Sequence, residues 1–259
     1  MDTQSTDRAV FSEALQPEPR HLSAGVALQW WRSAWDGFKS DIAPWVLITI
    51  VMLVLGWVSS AFSDSSVILS LIVQILSFIM YAGLLVGAHD SYQGGAMKVA
   101  YLIEGFSRRP GAIAGLSLLC VVIGVAVMFF AGTMGVLAIA GGSMMIIPVV
   151  LACIAISAAM MMAFWFSPVL LVLHPEVDVV RAIKMSLAGC LDNILPMMVY
   201  GLLFILFAVL ASIPLGLGWL VLIPMSVMST YVAYRDIFLV NPEPEAVASS
   251  TGGDDEPLV

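Results

Sequence analysis

Six long apolar stretches, at residues 44–62, 67–88, 111–131, 146–173, 194–214 and 218–239, alternate with short polar segments along the chain. A helix needs about 20 apolar residues to cross a hydrocarbon core of ~30 Å. None of the six stretches has a Lys, Arg, Asp or Glu in its central part. The pattern predicts an all-α, polytopic membrane protein with six transmembrane helices. Pro168 in the fourth stretch and Pro224 in the sixth predict a kink or an early exit, because proline lacks the amide donor and clashes with the preceding turn. Residues 132–147 are glycine-rich and uncharged. They read as an outer loop lying against the headgroups or as a short re-entrant turn.

The segments between the stretches carry a second period. Leu28, Trp31, Trp35 and Phe38 recur at spacings of three and four, with Gln29, Arg32, Asp36 and Lys39 opposite them. An apolar face rich in aromatic residues and backed by basic ones predicts a helix lying in the membrane interface, with those four residues as its anchor. Val99, Leu102 and Phe106 make a similar stripe, and Val180, Ile183, Leu187 and Leu191 a third. Each such helix leads into a proline that opens a pair of stretches, at "FKSDIAPWV", "FSRRPGAIA" and "LDNILPMMV". The unit is a cytoplasmic amphipathic helix followed by a transmembrane hairpin. Three parallel copies occupy residues 22–240, which implies pseudo-symmetry about the membrane normal.

Charge orients the chain. Arg8, Arg20, Arg32 and Lys39 precede the first stretch; Lys98, Arg108 and Arg109 lie between the second and third; Arg181 and Lys184 lie between the fourth and fifth; Arg235 ends the sixth. Basic residues flanking membrane spans stay in the cytoplasm, so both termini are expected inside. Hydrophobic residues make up 61% of the chain and charged ones 11%, far from the composition of a soluble domain. The net charge of -8 and the lack of a basic cluster exclude nucleic acid as a partner.

Residues 1–21 and 241–259 are polar, acidic and aperiodic, and read as disordered cytoplasmic tails. The first has no apolar run of the kind a cleavable signal contains. Cys120, Cys153 and Cys190 show no metal or disulfide spacing and read as space-filling thiols. The GxxxG pairs Gly83–Gly87 and Gly111–Gly115, and Ala155, Ala159 and Ala163, are expected to let helices approach closely. Gln74 is the most conspicuous polar side chain at depth, and is expected to hydrogen-bond a neighbouring helix.

Candidate chemistry is confined to the cytoplasmic joints. "HDSYQGG" supplies His89 and Asp90, "HPEVD" supplies His174, Glu176 and Asp178, and "YRDIF" supplies Arg235 and Asp236. With threefold pseudo-symmetry these joints would ring one rim, where imidazoles and carboxylates are the donors a divalent ion takes. Helix capping and interfacial ion pairing account for the same residues at helix ends. No catalytic residue, metal site or cofactor is expected.

"WRSAWDGFKSDIAPWVLI", "GFSRRPGAI", "FWFSPVLLVLHPEVDVVRAIKMSLAGCLDNILPMMVYGLL" and "YVAYRDIF" resemble an uncharacterised family of bacterial multi-pass inner-membrane proteins. More distantly, they are similar to the membrane domain of glycerophosphoryl diester phosphodiesterases. The resemblance implies a bacterial inner-membrane location and transfers no catalytic residues. A phosphodiesterase barrel would take about 250 residues, for which the chain has no room. The expectation is a non-catalytic accessory, assembly or scaffold component. Its partners would be membrane lipids, with another membrane protein or a second copy of itself. A carrier for a small or lipid-like solute and an interfacial metal-dependent enzyme using the rim are the alternatives.

Overall fold

The computed structural model describes residues 14–62, 67–141 and 146–240. These residues form ten helices: α1 (Val26–Ser40), α2 (Ile42–Phe62), α3 (Val67–Tyr92), α4 (Tyr101–Ser107), α5 (Pro110–Gly141), α6 (Ile146–Trp165), α7 (Ser167–Leu173), α8 (Val179–Asp192), α9 (Ile194–Ser212) and α10 (Trp219–Phe238). The expected tail at 241–259 and the first residues of the other lie outside the described residues. Residues 14–21, placed in the N-terminal tail by composition, are tied to the end of α10. Leu15 bridges Leu239, the Gln16 and Arg20 amides donate to the Phe238 and Ile237 carbonyls, and Gln16 Nε2 donates to Leu239 O at 2.6 Å.

Among the described residues, five segments are long and apolar enough to cross a membrane: Ile42–Ala61, Ile68–Tyr92, Pro110–Leu137, Ile146–Leu173 and Ile194–Ser212. The protein is a multi-pass helical membrane protein. The expected sixth span, α10, is not among the five. Its C-terminal half carries Ser229, Thr230, Tyr231, Tyr234 and Arg235, all buried. The fourth stretch breaks at Phe166, and Pro168 sits in the first turn of α7, where its missing donor has no intrahelical partner to lose. Pro224 lies inside α10, which continues through it. The expected loop at 132–147 is largely helix, because α5 runs to Gly141. Gly132, Gly135 and Gly141 lie within that helix, and residues 142–145 lie outside the described residues. At ~1.5 Å per residue α5 exceeds the hydrocarbon thickness, so it must tilt or project beyond it.

The short amphipathic helices pack on the long ones in a regular order: α4 lies closest to α3, α8 to α6 and α7, and α1 to α10. Backbone approach is tightest where α3 meets α4. A Cβ on Gly83 would lie 2.2 Å from Tyr101 O, and one on Gly105 only 2.0 Å from Ile79 O. Gly87 is likewise enclosed, by Met97 and Tyr101. The other expected GxxxG pair does not pack, since nothing lies within 4 Å of a Cβ at Gly111 or Gly115. Ala155 and Ala159 are exposed, and so is Gln74.

The buried faces of the amphipathic helices differ from the expected ones. In α1 the buried residues are Ala27, Trp30, Trp31, Ala34 and Phe38, while Leu28 and Trp35 are 42% and 43% exposed. The anchor Leu28–Trp31–Trp35–Phe38 is therefore split: Trp31 and Phe38 face protein. Trp31 stacks on Tyr200 with ring centroids 5.0 Å apart and meets Phe207 edge-on. In α4 Leu102 and Gly105 are buried, and Ile103 and Phe106 are exposed. In α8 Ala182, Ser186, Gly189 and Cys190 are buried, and Val180 and Leu191 are exposed. α1 thus buries Trp30, Trp31 and Phe38 beside Ala27 and Ala34, whereas in α8 small side chains turn inward and Val180 and Leu191 outward. Association of helices in lipid favours this arrangement, because only small residues let backbones come close.

Candidate functional site

The site is the junction where α3, α7 and α10 end. Tyr231 and Tyr234 stand three residues apart on α10, hence on one face of it, and each meets a histidine that closes another long segment. His89 Nδ1 lies 2.8 Å from the Tyr231 hydroxyl. His174 Nε2 is hydrogen-bonded to the Tyr234 hydroxyl. The two tyrosine rings are 6.0 Å apart. Arg235, on the next position of α10, lays its guanidinium over Tyr92 with Cζ 3.9 Å from the ring centroid, a cation–π contact made in a dry environment. His89, His174 and Arg235 are 5%, 2% and 3% exposed, so the junction is closed to water.

The carboxylates of the expected rim are distributed around this centre. Glu176 Oε1 lies 3.2 Å from His174 Nδ1. A carboxylate only accepts, so in the neutral ring Nδ1 carries the proton and Nε2 accepts from Tyr234. Burial holds the His174 pKa below its ordinary value, and Glu176 opposes that shift. Asp90 accepts from the Tyr101 hydroxyl; burial and that carboxylate raise the Tyr101 pKa. Asp178 caps α8, accepting from the Arg181 amide at 2.6 Å. Asp236 accepts from Trp30 Nε1 at 2.7 Å. The structure therefore brings His89, His174 and Arg235 together, with Glu176 on His174 and the other three carboxylates on Tyr101, the Arg181 amide and Trp30. Among the described residues no group of three His, Cys, Asp or Glu is placed to hold a metal ion. Burial pushes the Cys190 thiol up to about 12, the behaviour of an inert packing residue.

Three polar residues just after the amphipathic helices extend the junction. Asp41, after α1, accepts from the Met97 amide at 2.9 Å, in the segment before α4. Arg109, after α4, donates to Val177 O at 2.6 Å, in the segment before α8. Asn193, after α8, accepts from the Leu22 amide and donates to Arg20 O, both at 2.9 Å, in the segment before α1. Each of the three lies four residues beyond a glycine, namely Gly37, Gly105 and Gly189. A Cβ on Gly37 would meet Met228 of α10 at 2.2 Å, and one on Gly189 would meet Phe238 at 2.4 Å. The motif Gly-x-x-x-polar was visible in the sequence, in "GFKSD", "GFSRR" and "GCLDN". Tyr231 and Tyr234 had no such signal beyond their spacing.

No family model matches the chain, and no curated protein or solved structure does either.

Proposed function

We propose that the chain is a six-span scaffold of the bacterial inner membrane, with its amphipathic helices forming a cytoplasmic collar and both termini inside. The observation that carries this reading is the cyclic order of the collar bonds: Asp41 to Met97, Arg109 to Val177, and Asn193 to Leu22. Each joins the end of one amphipathic helix to the approach of the next, and the third returns to the first. Three parallel units of amphipathic helix and hairpin are the arrangement that produces such an order. The outward large residues, Leu28, Trp35, Ile103, Phe106, Val180 and Leu191, give the collar an apolar rim suited to lipid or a membrane partner.

The same arrangement accounts for α10 as the sixth span. A hydropathy threshold measures affinity for lipid, and a helix enclosed by other helices has no need of it. Polar groups on α10 are matched within the protein, as with Tyr200 and Ser229, whose hydroxyls lie 2.8 Å apart. The histidines support a structural role, because both are buried and bonded to tyrosine hydroxyls. Partners are sought by affinity purification from native membranes, where a stoichiometric membrane protein is the expected companion. Reporter fusions at Gly95, Asp178 and the C-terminus should read cytoplasm, and those at Asp64 and Gly216 the opposite side. Stoichiometric metal in the purified protein, lost in both His89→Ala and His174→Ala, would overturn the scaffold reading.

A further inference from the structure

An apolar groove of about 640 Å³ runs between α1 and the α9–α10 hairpin. Its walls include Trp31 and Trp35 from α1, Phe207 and Leu210 from α9, and Leu222 and Met225 from α10; Arg32 and Asp36 are the charged residues that reach it. Gly218 closes the hairpin end, where its amide donates to Ala211 O at 3.2 Å and a Cβ would lie 2.4 Å from the Ala211 backbone. We propose that this groove binds an acyl chain of a glycerophospholipid whose phosphate is held by Arg32.

Three observations select that occupant. The groove is lined on α9 by Leu210, which is 52% exposed, on a helix long and apolar enough to span a membrane. What fills it therefore comes from hydrocarbon and not from water. The volume lies within the ~300–1,000 Å³ of small-ligand sites, room enough for an acyl chain. Finally, the charge at the edge is matched to a phosphate. Asp36 is engaged by Lys39 at 2.9 Å, Lys39 lies over the Trp35 ring at 5.8 Å, and Arg32 is the exposed guanidinium beside them. Arginine binds phosphate oxygens through paired N–H donors. A resident lipid of this kind is independent of whether the collar is a scaffold.

The test is native mass spectrometry of the full chain, stripped of lipid in detergent and titrated with phosphatidylglycerol or with diacylglycerol of the same chains. One phosphatidylglycerol should bind about fivefold more tightly than diacylglycerol, the scale of a partly exposed ion pair. Arg32→Gln, a surface change, should abolish that preference. Leu210→Trp, which fills the groove, should weaken both ligands, whereas Ile205→Trp on the far side of α9 should weaken neither. Equal binding of the two lipids to the native chain would overturn the proposal. So would equal effects of Leu210→Trp and Ile205→Trp, which would indicate annular lipid only. A self-associated dimer that excludes added lipid would overturn it as well, assigning the groove to a second copy.

Discussion

Replacing Gly105 by alanine tests the packing of the collar most directly. The added Cβ would lie 2.0 Å from Ile79 O and 3.0 Å from the Gly83 amide nitrogen. Both neighbours are backbone atoms of α3 and cannot rotate away. Ordinary contact begins at 3.4 Å, so α3 and α4 must part by the difference between 3.4 and 2.0, which is 1.4 Å. Overpacking of this kind costs about 1–3 kcal/mol. The upper end applies, because a gap of even 0.5–1 Å forfeits roughly a quarter to a half of each dispersion contact across the seam. Alanine returns about 1 kcal/mol through helix propensity, leaving a net loss of about 2 kcal/mol, or roughly thirtyfold in the folded ratio.

Gly115→Ala is the matched control. Nothing lies within 4 Å of its Cβ, so only the propensity gain of up to about 1 kcal/mol remains. The double change Gly83→Ala with Gly105→Ala should cost scarcely more than Gly105→Ala alone. One separation of the helices relieves both clashes, and residues that share a displacement do not behave additively. Unfolding in mixed detergent micelles, followed by loss of helicity against the fraction of denaturing detergent, measures the wild type, the three single variants, including Gly83→Ala, and the double. Gly105→Ala at wild-type stability, or a double variant equal to the sum of the singles, would refute the reasoning.

Breaking the collar at a joint should be costly. Asn193→Ala strips the Leu22 amide and the Arg20 carbonyl of their partners and should lose about 3 kcal/mol, with Asp41→Ala losing about half that; both within 0.5 kcal/mol of wild type would contradict the ring. His174 should make stability depend on pH. Its folded pKa is lowered by burial from an unfolded value near 6.5, so its contribution is complete above that pH and is lost as pH falls toward the folded value. The melting temperature should drop as pH falls below about 6.5, and His174→Gln should flatten that slope; an unchanged slope removes His174 as a cause. The two tryptophans of the expected anchor should separate in a quenching experiment. Lipid-borne quenchers should reach Trp35 and spare Trp31, which is 2% exposed, and equal quenching would put Trp31 back at the lipid surface.

The long helices were legible because twenty apolar residues in a row have one physical use, and Phe166 broke the fourth where Pro168 required it. What the stripe covers was not legible. Leu28, Trp35, Val180 and Leu191 supply the apolar period of their helices, yet the structure leaves them exposed, buries Ala34 and Gly189 and packs the half-buried Gly37 against Met228. In water the apolar stripe seeks the core; at a membrane it can equally face lipid, and the small-residue face becomes the packing face. Trp30 illustrates the same limit. It lies off the stripe, but its ring is fully buried and its indole donates to Asp236, a partner more than two hundred positions away. The histidines were found as candidates, whereas their tyrosine partners required knowing that three helices end at one point.

Chain order adds a last prediction. The face of α1 formed by Trp30, Trp31 and Gly37 is covered by residues of α9 and α10, through Tyr200, Phe207, Met228 and Asp236. Synthesis begins with α1 and reaches α10 last, so this face stays uncovered until the third hairpin is in place. Residues 14–22 likewise find partners in Asp192, Asn193 and the end of α10. A chain stopped after Ser212 would keep all five membrane-length segments, but would strip α2, α3 and α9 of their contacts with α10 and would deprive Trp30, His89 and His174 of Asp236, Tyr231 and Tyr234. Each buried hydrogen bond so lost costs about 1–3 kcal/mol, together comparable to the whole stability of a typical domain. This truncation should fail to accumulate in membranes. A chain stopped after Val240 removes only the acidic, aperiodic segment and should accumulate as the full chain does. Pulse–chase of the two truncations decides the point: equal lifetimes would mean that the first two hairpins fold without the third, and that α10 is an addition to the collar and not its centre.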